Sequence, residues 1–228
     1  LAEGFTSKLV LGDDGQIWAQ CTDPNTGETF LTQDLDATPI LDQFVLEHPD
    51  FSLNGAKAIF SLTGYQGILG YRTQNDIDIA ADDPRRPAFD ANRQAEIEAH
   101  TWGHIRLDSR PLESVQRDTV RWAEEVGSLV GPTNILFYPH GGRPDGDDWH
   151  STGPVFQYLQ SQGFRIFASV GINSFSYIKK DISAVICDRL HPDGTTLRNG
   201  KALEWYSQFY DAREIIDLDV RPDLAVTW

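Results

Sequence analysis

Apolar and polar residues alternate over residues 8–21, on both sides of the dipeptide Asp14-Gly15. This alternation is typical of β-strands with one buried face, and Asp-Gly favours the tight turn of a hairpin. A second turn signal, at residues 24–27, predicts that the chain returns for a third strand. The first 33 residues are therefore expected to form a small antiparallel sheet.

Beyond residue 33, short apolar runs alternate with stretches in which apolar residues recur at helical spacing. The runs predict strands at residues 57–62, 96–99, 134–138, 164–169 and 182–187. The other stretches predict helices at residues 38–48, 109–130, 152–162 and 202–210. This alternation indicates a parallel sheet, in which functional groups gather in the loops at the carboxyl ends of the strands.

Two of the predicted helices have a definite expected orientation. The first is expected to begin with Thr38 as its N-cap and Pro39 in its first turn. Its predicted inward face consists of Ile40, Leu41, Phe44 and Val45. The helix that starts at residue 109 is predicted to turn inward Leu112, Val115, Trp122 and Val126.

The charge balance argues against some partners. The chain has 34 acidic and 19 basic residues, for a net charge of -15 at pH 7. Neither a nucleic acid nor an anionic membrane surface is expected as a partner, because both are bound through clusters of Lys and Arg. No apolar run approaches the roughly 18 residues that a membrane-spanning helix needs. Cys21 and Cys187 could form one disulfide or remain free.

Two histidines four residues apart follow a predicted strand in Glu96-Ile-Glu-Ala-His-Thr-Trp-Gly-His104. If the chain turns helical after the strand, His100 and His104 lie on one face and could share a metal ion. The alternative is a pair of surface histidines. Their position at the carboxyl end of a strand favours the metal site.

A second motif, Ile135-Leu-Phe-Tyr-Pro-His-Gly-Gly-Arg143, also follows a predicted strand. Its glycines would let a backbone N–H approach a ligand closely, and such an amide could stabilise a developing oxyanion. The alternative is an ordinary turn from a strand into a loop.

Together the two motifs resemble those of the polysaccharide deacetylases, the NodB-like homology domain of carbohydrate esterase family 4. Residues 100–104 match that family's His-(Ser/Thr)-x-x-His metal motif at every position. Residues 137–141 match its Arg-x-Pro-(Tyr/Phe)-Gly motif at Pro139 and Gly141, with Phe137 in place of Arg and His140 in place of the aromatic residue.

The resemblance covers residues 34–220 and implies a distorted (β/α) barrel, with residues 1–33 as an N-terminal β-hairpin insert in a single domain of residues 1–228. It implies a metal-dependent deacetylase or de-N-acetylase that hydrolyses acetyl groups from an acetylated polysaccharide or oligosaccharide. The expected cofactor is a divalent metal ion, with zinc as the first choice. The family favours an extracellular or cell-envelope location.

The resemblance also implies a role for each site residue. His100 and His104 would bind the metal together with a carboxylate. The backbone amide of His140 would support the oxyanion, and His191 would act as the general acid. The residues expected to line the sugar site are Pro139, Gly141 and Trp149.

Two of these assignments have simpler alternatives. His191 precedes Pro192 and could be an ordinary turn histidine. Trp149 lies in a loop before a predicted helix, where Ser151 or Thr152 could act as the N-cap and nearby acids could favour the helix dipole.

The family's first motif, an Asp-Asp pair after its first strand, has no clear counterpart. Asp13-Asp14 is the only such pair early in the chain, and the hairpin pattern predicts that it forms a turn. We therefore expect the family's pair upstream of Leu1. Residues 90–94 are also too short for a helix that the family has there, and the chain contains no methionine. Both observations favour a missing segment near residue 94 or 95.

Two other functions remain open. The departures from the family pattern suit a carbohydrate-binding relative that kept the fold and lost the chemistry. Another metallohydrolase, such as a phosphoesterase, would usually need two metal ions and more carboxylates near the histidines.

Overall fold

The computed structural model describes residues 5–56, 58–65, 67–73, 96–146, 152–170 and 184–189, together with residues 204, 206–208, 211 and 214. Its strands are β1 (Phe5–Leu11), β2 (Ile17–Thr22), β3 (Thr29–Thr32), β4 (Ile59–Leu62), β5 (Glu96–Ala99), β6 (Ile135–Phe137), β7 (Ile166–Val170) and β8 (Val185–Arg189). Its main helices are α1 (Ala37–Glu47), α2 (Leu112–Trp122) and α3 (Pro154–Ser161). Helix α2 continues into a π-helical turn at Ala123–Gly127.

Several sequence predictions lie outside the described residues. These are Trp149, His191, the proposed break near residue 94 and most of the helix predicted at residues 202–210.

The N-terminal strands form an antiparallel sheet in the order β1-β2-β3, which confirms the predicted hairpin. Asp14 lies in the turn between β1 and β2, where its carboxylate accepts hydrogen bonds from the Gln16 N–H at 3.0 Å and from Trp18 Nε1 at 3.1 Å. Gly15 follows it with a φ of 75°, a value that favours glycine. The Asp13-Asp14 pair is therefore a turn, as the hairpin pattern predicted.

The remaining strands form a five-stranded parallel sheet in chain order, β4-β5-β6-β7-β8. Its core combines side chains from the strands with side chains from α2 and α3. Buried members include Leu136, Phe167, Ile186, Val115, Trp122, Val126, Phe156 and Leu159. The parallel order places the carboxyl ends of all five strands at one edge. The predicted closure of this sheet into a (β/α) barrel stays a prediction.

Thr38 is not the N-cap of α1 as predicted, because an aspartate from the preceding loop takes that role. The Asp36 carboxylate accepts the Thr38 N–H at 2.9 Å and caps α1. The Asp145 carboxylate accepts two N–H groups at the start of α3, at 3.0 and 2.9 Å. The N-cap residue of α3 is Gly153 and not Thr152, and Asp145 supplies the acceptor for the first turn of α3 from a loop that begins after β6; Ser151 lies outside the described residues.

The predicted inward face of α1 is largely exposed. Ile40 is 46% exposed and Phe44 is 41% exposed. The helix contacts β2 and buries only Thr38 and Pro39 of its first turn. Leu41 and Val45 of the same face are half-buried, so the predicted inward face is only partly covered and is not part of the described core. The inward face predicted for α2 is confirmed, because Val115, Trp122 and Val126 are buried and Leu112 packs against them.

The N-terminal sheet packs on the loop that follows β4. The Leu9 N–H donates to the Leu69 carbonyl at 3.0 Å, and the Tyr71 hydroxyl donates to the Leu9 carbonyl at 2.8 Å. Gly70 has a φ of 87°, and a Cβ at this position would lie 2.2 Å from the Ser7 carbonyl oxygen. Glycine is therefore required at residue 70, where the N-terminal sheet meets the loop that follows β4.

Neither cysteine forms a disulfide: Cys21 is buried and Cys187 is half-buried. Within the described residues, no helix combines the length and apolar character that crossing a membrane requires.

Gly70→Ala tests the contact between the N-terminal sheet and the loop after β4, and Gly15→Ala is its matched control. Gly15→Ala has the same left-handed φ with open space around it, so it should cost about 1 kcal/mol of unfolding free energy. Gly70→Ala should cost about 2 kcal/mol more, because the methyl group would push the sheet from the loop. Urea unfolding of both variants measures the difference. Equal losses would show that the two parts are not in contact at Gly70.

Candidate functional site

Three histidines lie together at the carboxyl edge of the parallel sheet. His100 directly follows β5, and His140 lies in the short 3-10 turn Pro139–Gly141 after β6. The ring centre of His104 is 4.9 Å from that of His100 and 4.5 Å from that of His140. We call these three residues the histidine cluster. The rings of His100 and His104 are therefore neighbours, and His140 joins them through its ring, while the role of His100 and His104 as metal ligands stays a prediction.

The pair does not meet on a helix, as the spacing had suggested. Residues 100–106 form an irregular loop, in which Thr101 has a φ of 58° and His104 a φ of 53°. His140 also has a left-handed φ, of 57°. Non-glycine residues in this region cost of order 1–3 kcal/mol each, and such strain is concentrated at functional sites. Three of the six left-handed non-glycine residues described lie in or beside the histidine cluster.

Asp118 of α2 holds this loop through its backbone. Its carboxylate accepts the Trp102 N–H at 2.6 Å and the Gly103 N–H at 2.8 Å. Burial raises the pKa of Asp118, and the two N–H donors act in the opposite direction. A Cβ on residue 103 would lie 3.2 Å from Asp118 Oδ1, which leaves little room for any side chain there. Asp118 therefore determines the path of the chain between His100 and His104.

Trp102 is held by two further side chains and by the loop after β4. Its indole Nε1 donates to the Glu125 carboxylate at 2.6 Å, and the Arg121 guanidinium lies 3.6 Å from its ring centre. Arg121 also donates to Glu125 at 2.9 Å, and Glu125 is only 2% exposed. A Cβ on Gly64 would lie 2.2 Å from the indole Cδ1, so the loop after β4 needs glycine at this position. The indole is thus fixed between α2 and the β4 loop.

The environment keeps the metal-binding form of the histidines. Burial lowers the pKa of His100 to about 4, and the charges of His104, Arg189 and His140 have smaller effects in the same direction. The hydrogen bond between His100 and the Phe137 carbonyl acts in the opposite direction. Burial and the neighbouring His140 also lower the pKa of His104. Both rings are therefore neutral at pH 7, and neutral imidazole is the form that binds metals.

The other predicted site residues divide into two groups. Pro139 is buried, Gly141 has a φ of 65°, and both lie in the turn that carries His140. The ring of His140 is exposed, and within the described residues its N–H takes part in no backbone hydrogen bond. Trp149 and His191 lie outside the description.

A complete metal site is not formed by the described residues. Among them, no group of three or more His, Cys, Asp or Glu side chains is arranged so that it could hold a metal ion. Within the described part of the chain, the histidine cluster therefore does not form a complete ligand set for a metal ion.

Sequence reasoning missed Asp118, Arg121 and Glu125. The sequence contained a signal for Asp118 and Glu125. Asp118 lies three positions after Val115, and Glu125 lies three positions after Trp122, so each shares the face of a residue predicted to point inward. An acidic residue on the inward face of a helix is expected to have a specific buried partner. That partner proved to be the loop between the two histidines.

Asp118→Asn should loosen this loop, because the amide keeps one acceptor oxygen for two N–H donors. We expect amide hydrogen exchange at Trp102 and Gly103 to rise at least tenfold, with a loss of about 1–3 kcal/mol in unfolding free energy. Glu113→Gln, at an exposed position of the same helix, is the control and should change neither. Unchanged exchange in Asp118→Asn would refute the role given to this carboxylate.

Acid should destabilise the protein through His100. Its folded-state pKa of about 4 lies below the ordinary 6.5, so between these values the unfolded chain binds more protons and stability falls as the pH is lowered. His100→Gln should reduce this pH dependence, measured as urea midpoints from about pH 7 to about pH 4.5. His48→Gln, exposed after α1, should retain it. The same slope in both variants would contradict the burial of His100.

The chain was compared with models of protein families, with curated proteins and with solved structures, and none of them matches it. The resemblance to the polysaccharide deacetylases therefore depends on the motif residues themselves.

Proposed function

We propose that this chain is a metal-dependent carbohydrate deacetylase that removes acetyl groups from a polysaccharide or oligosaccharide. The observation that carries the proposal is the pairing of two neutral imidazoles, His100 and His104, at the carboxyl edge of a parallel sheet. Their loop retains every position of the deacetylase metal motif. A parallel sheet in chain order is compatible with the proposed (β/α) barrel.

The two histidines fit a shared metal ion. Imidazoles that bind one tetrahedral zinc at about 2.0–2.1 Å have ring centres roughly 5 Å apart. The observed separation is 4.9 Å. His100 Nδ1 is engaged with the Phe137 carbonyl, which leaves Nε2 for the ion, as is usual for a histidine ligand. We propose zinc or a similar divalent ion, with a carboxylate from outside the described residues as the third ligand.

A bound divalent ion would polarise the acetyl carbonyl and increase the acidity of water. The chain itself would contribute the His140 N–H, which can donate to the oxygen that becomes negatively charged. Gly141, next to it, has a φ of 65°, and a Cβ there would lie 3.3 Å from the Val170 carbonyl oxygen, so the turn that presents this N–H favours glycine. Pro139 shapes the same turn, which is fixed by a hydrogen bond from the Gly142 N–H to the Pro139 carbonyl at 3.0 Å.

The remaining assignments are also part of the proposal. His191 would protonate the leaving group, and Trp149 would stack on the sugar. The proposed setting is the cell envelope or the extracellular space, where polysaccharide substrates are found.

His100→Ala should abolish metal binding and lower acetate release at least a hundredfold, because it removes one of only two described ligands. Isothermal titration with zinc measures the first effect. Acetate release from acetylated chitooligosaccharides, xylan and peptidoglycan measures the second. His48→Ala removes a histidine outside the cluster and should change neither. Full metal occupancy in His100→Ala would refute the assignment.

A second candidate is a carbohydrate-binding relative without catalysis. It is favoured by the position of Asp13-Asp14 in a hairpin turn and by the lack of a complete ligand set among the described residues. In that case the native protein would bind these sugars with no acetate release, whatever metal is added.

A further inference from the structure

A cleft of about 390 Å³ lies at the amino ends of β6 and β7. It is bounded by the π-helical turn that follows α2, by the segment that leads into β6 and by the end of α3. Thr133 and Phe164 line it, and each lies two residues before its strand begins. The histidine cluster lies at the carboxyl edge of the same sheet, so the cleft is a separate site. Its volume is within the range of small-molecule pockets, roughly 300–1,000 Å³.

The inner wall of the cleft is apolar and fixed in place. It consists of Trp122 and Phe164, which are 4% and 5% exposed. The Trp122 indole Nε1 donates to the Leu62 carbonyl at 2.9 Å, which holds the ring against the sheet. A Cβ on Gly127 would lie 3.2 Å from Cζ3 of this ring, so glycine lets the π-helical turn pass close to the indole. Such π-helical turns are rare and are frequent at functional sites.

The charge of the cleft limits what it can bind. The described residues that line it are all uncharged, in a chain that has 34 acidic and 19 basic residues. A charged ligand would lose part of its hydration there without gaining a counter-charge, which is costly. The cleft therefore selects an uncharged ligand.

The polar side chains of the cleft are largely used within the protein. Ser128 Oγ donates to the Glu124 carbonyl at 2.5 Å, and Thr133 Oγ1 accepts the Ile135 N–H at 3.1 Å. A sugar ring carries a hydroxyl on most of its carbons, and it would lose more hydrogen bonds to water than this lining can return. An aromatic ring with one polar group loses few hydrogen bonds and gains from the apolar wall.

We propose that this cleft binds a small uncharged aromatic molecule of the indole or phenol class. Its ring would pack against Trp122 and Phe164 in the offset or edge-to-face arrangements that aromatic rings prefer. Its polar group would remain at the rim, where Ser128 and Gln162 are exposed. The inference uses neither the metal nor the histidine cluster, so it is independent of the deacetylase proposal.

Nuclear magnetic resonance of the metal-free protein, titrated with indole, tests the proposal. Indole should shift the Trp122 Nε1–H resonance in a saturable manner at roughly millimolar concentration, as expected for a ligand of this size. The Trp122→Phe variant assigns that resonance. Benzoate, which has an aromatic ring and a negative charge, and N-acetylglucosamine, which is an uncharged sugar, should produce no saturable shift at the same concentrations.

Variants at the rim locate the site. Ala123 is an exposed lining residue, and Ala123→Leu should weaken indole binding by roughly tenfold or more, because the larger side chain takes up space in the cleft. Val120→Leu changes an exposed residue of α2 that does not line the cleft, and it should bind indole as the native protein does. Should Ala123→Leu fail to fold, Ser128→Leu fills the cleft from another side of the rim.

Three results would overturn the proposal. The first is the absence of a saturable indole shift in the native protein. The second is an equal response to benzoate or N-acetylglucosamine, which would contradict the ligand class. The third is unchanged indole affinity in the cleft-filling variant, which would place binding elsewhere on the protein.

Discussion

The candidate site depends on one interaction, the acceptance of two adjacent backbone N–H groups by the Asp118 carboxylate. Without it, residues 100–104 would have no reason to adopt left-handed turns, which cost free energy for any residue except glycine. With it, His100 and His104 face each other across a loop rather than along a helix. The surrounding contacts of Trp102 with Arg121 and Glu125 extend this arrangement to a second turn of α2.

The same interaction explains which parts of the site could be predicted from the sequence. The strand before His100 is encoded by a local apolar run, and the position of the histidines at its carboxyl end follows from the parallel sheet. The geometry between them is not local, because its acceptor is a carboxylate in another element. The spacing therefore predicted correctly that His100 and His104 are neighbours, but it attributed this to a helix where the chain forms an irregular loop. The left-handed φ of His104 had no signal in its own segment.

The errors at α1 and α3 have a related cause. A helical pattern in the sequence indicates which residues share a face, but it does not indicate what covers that face. Ile40 and Phe44 share a face as predicted and remain exposed, since α1 is attached through its first turn. Likewise, a helix N-terminus requires an acceptor without specifying its place in the chain, and Asp145 supplies it for α3 from a preceding loop.

The net charge of -15 is a poor guide to the electrostatics of the site. Within the described residues, the rings of His100 and His104 are neutral at pH 7, and the charge of Arg189 is one cause of the lowered pKa of His100. The Asp118 carboxylate accepts two backbone N–H groups, and the Glu125 carboxylate is engaged with Arg121 and the Trp102 indole, so both hold the loop. The charge that acts at the carboxyl edge of the parallel sheet is therefore set by the side chains that the fold brings there, and the sum over the whole chain does not predict it.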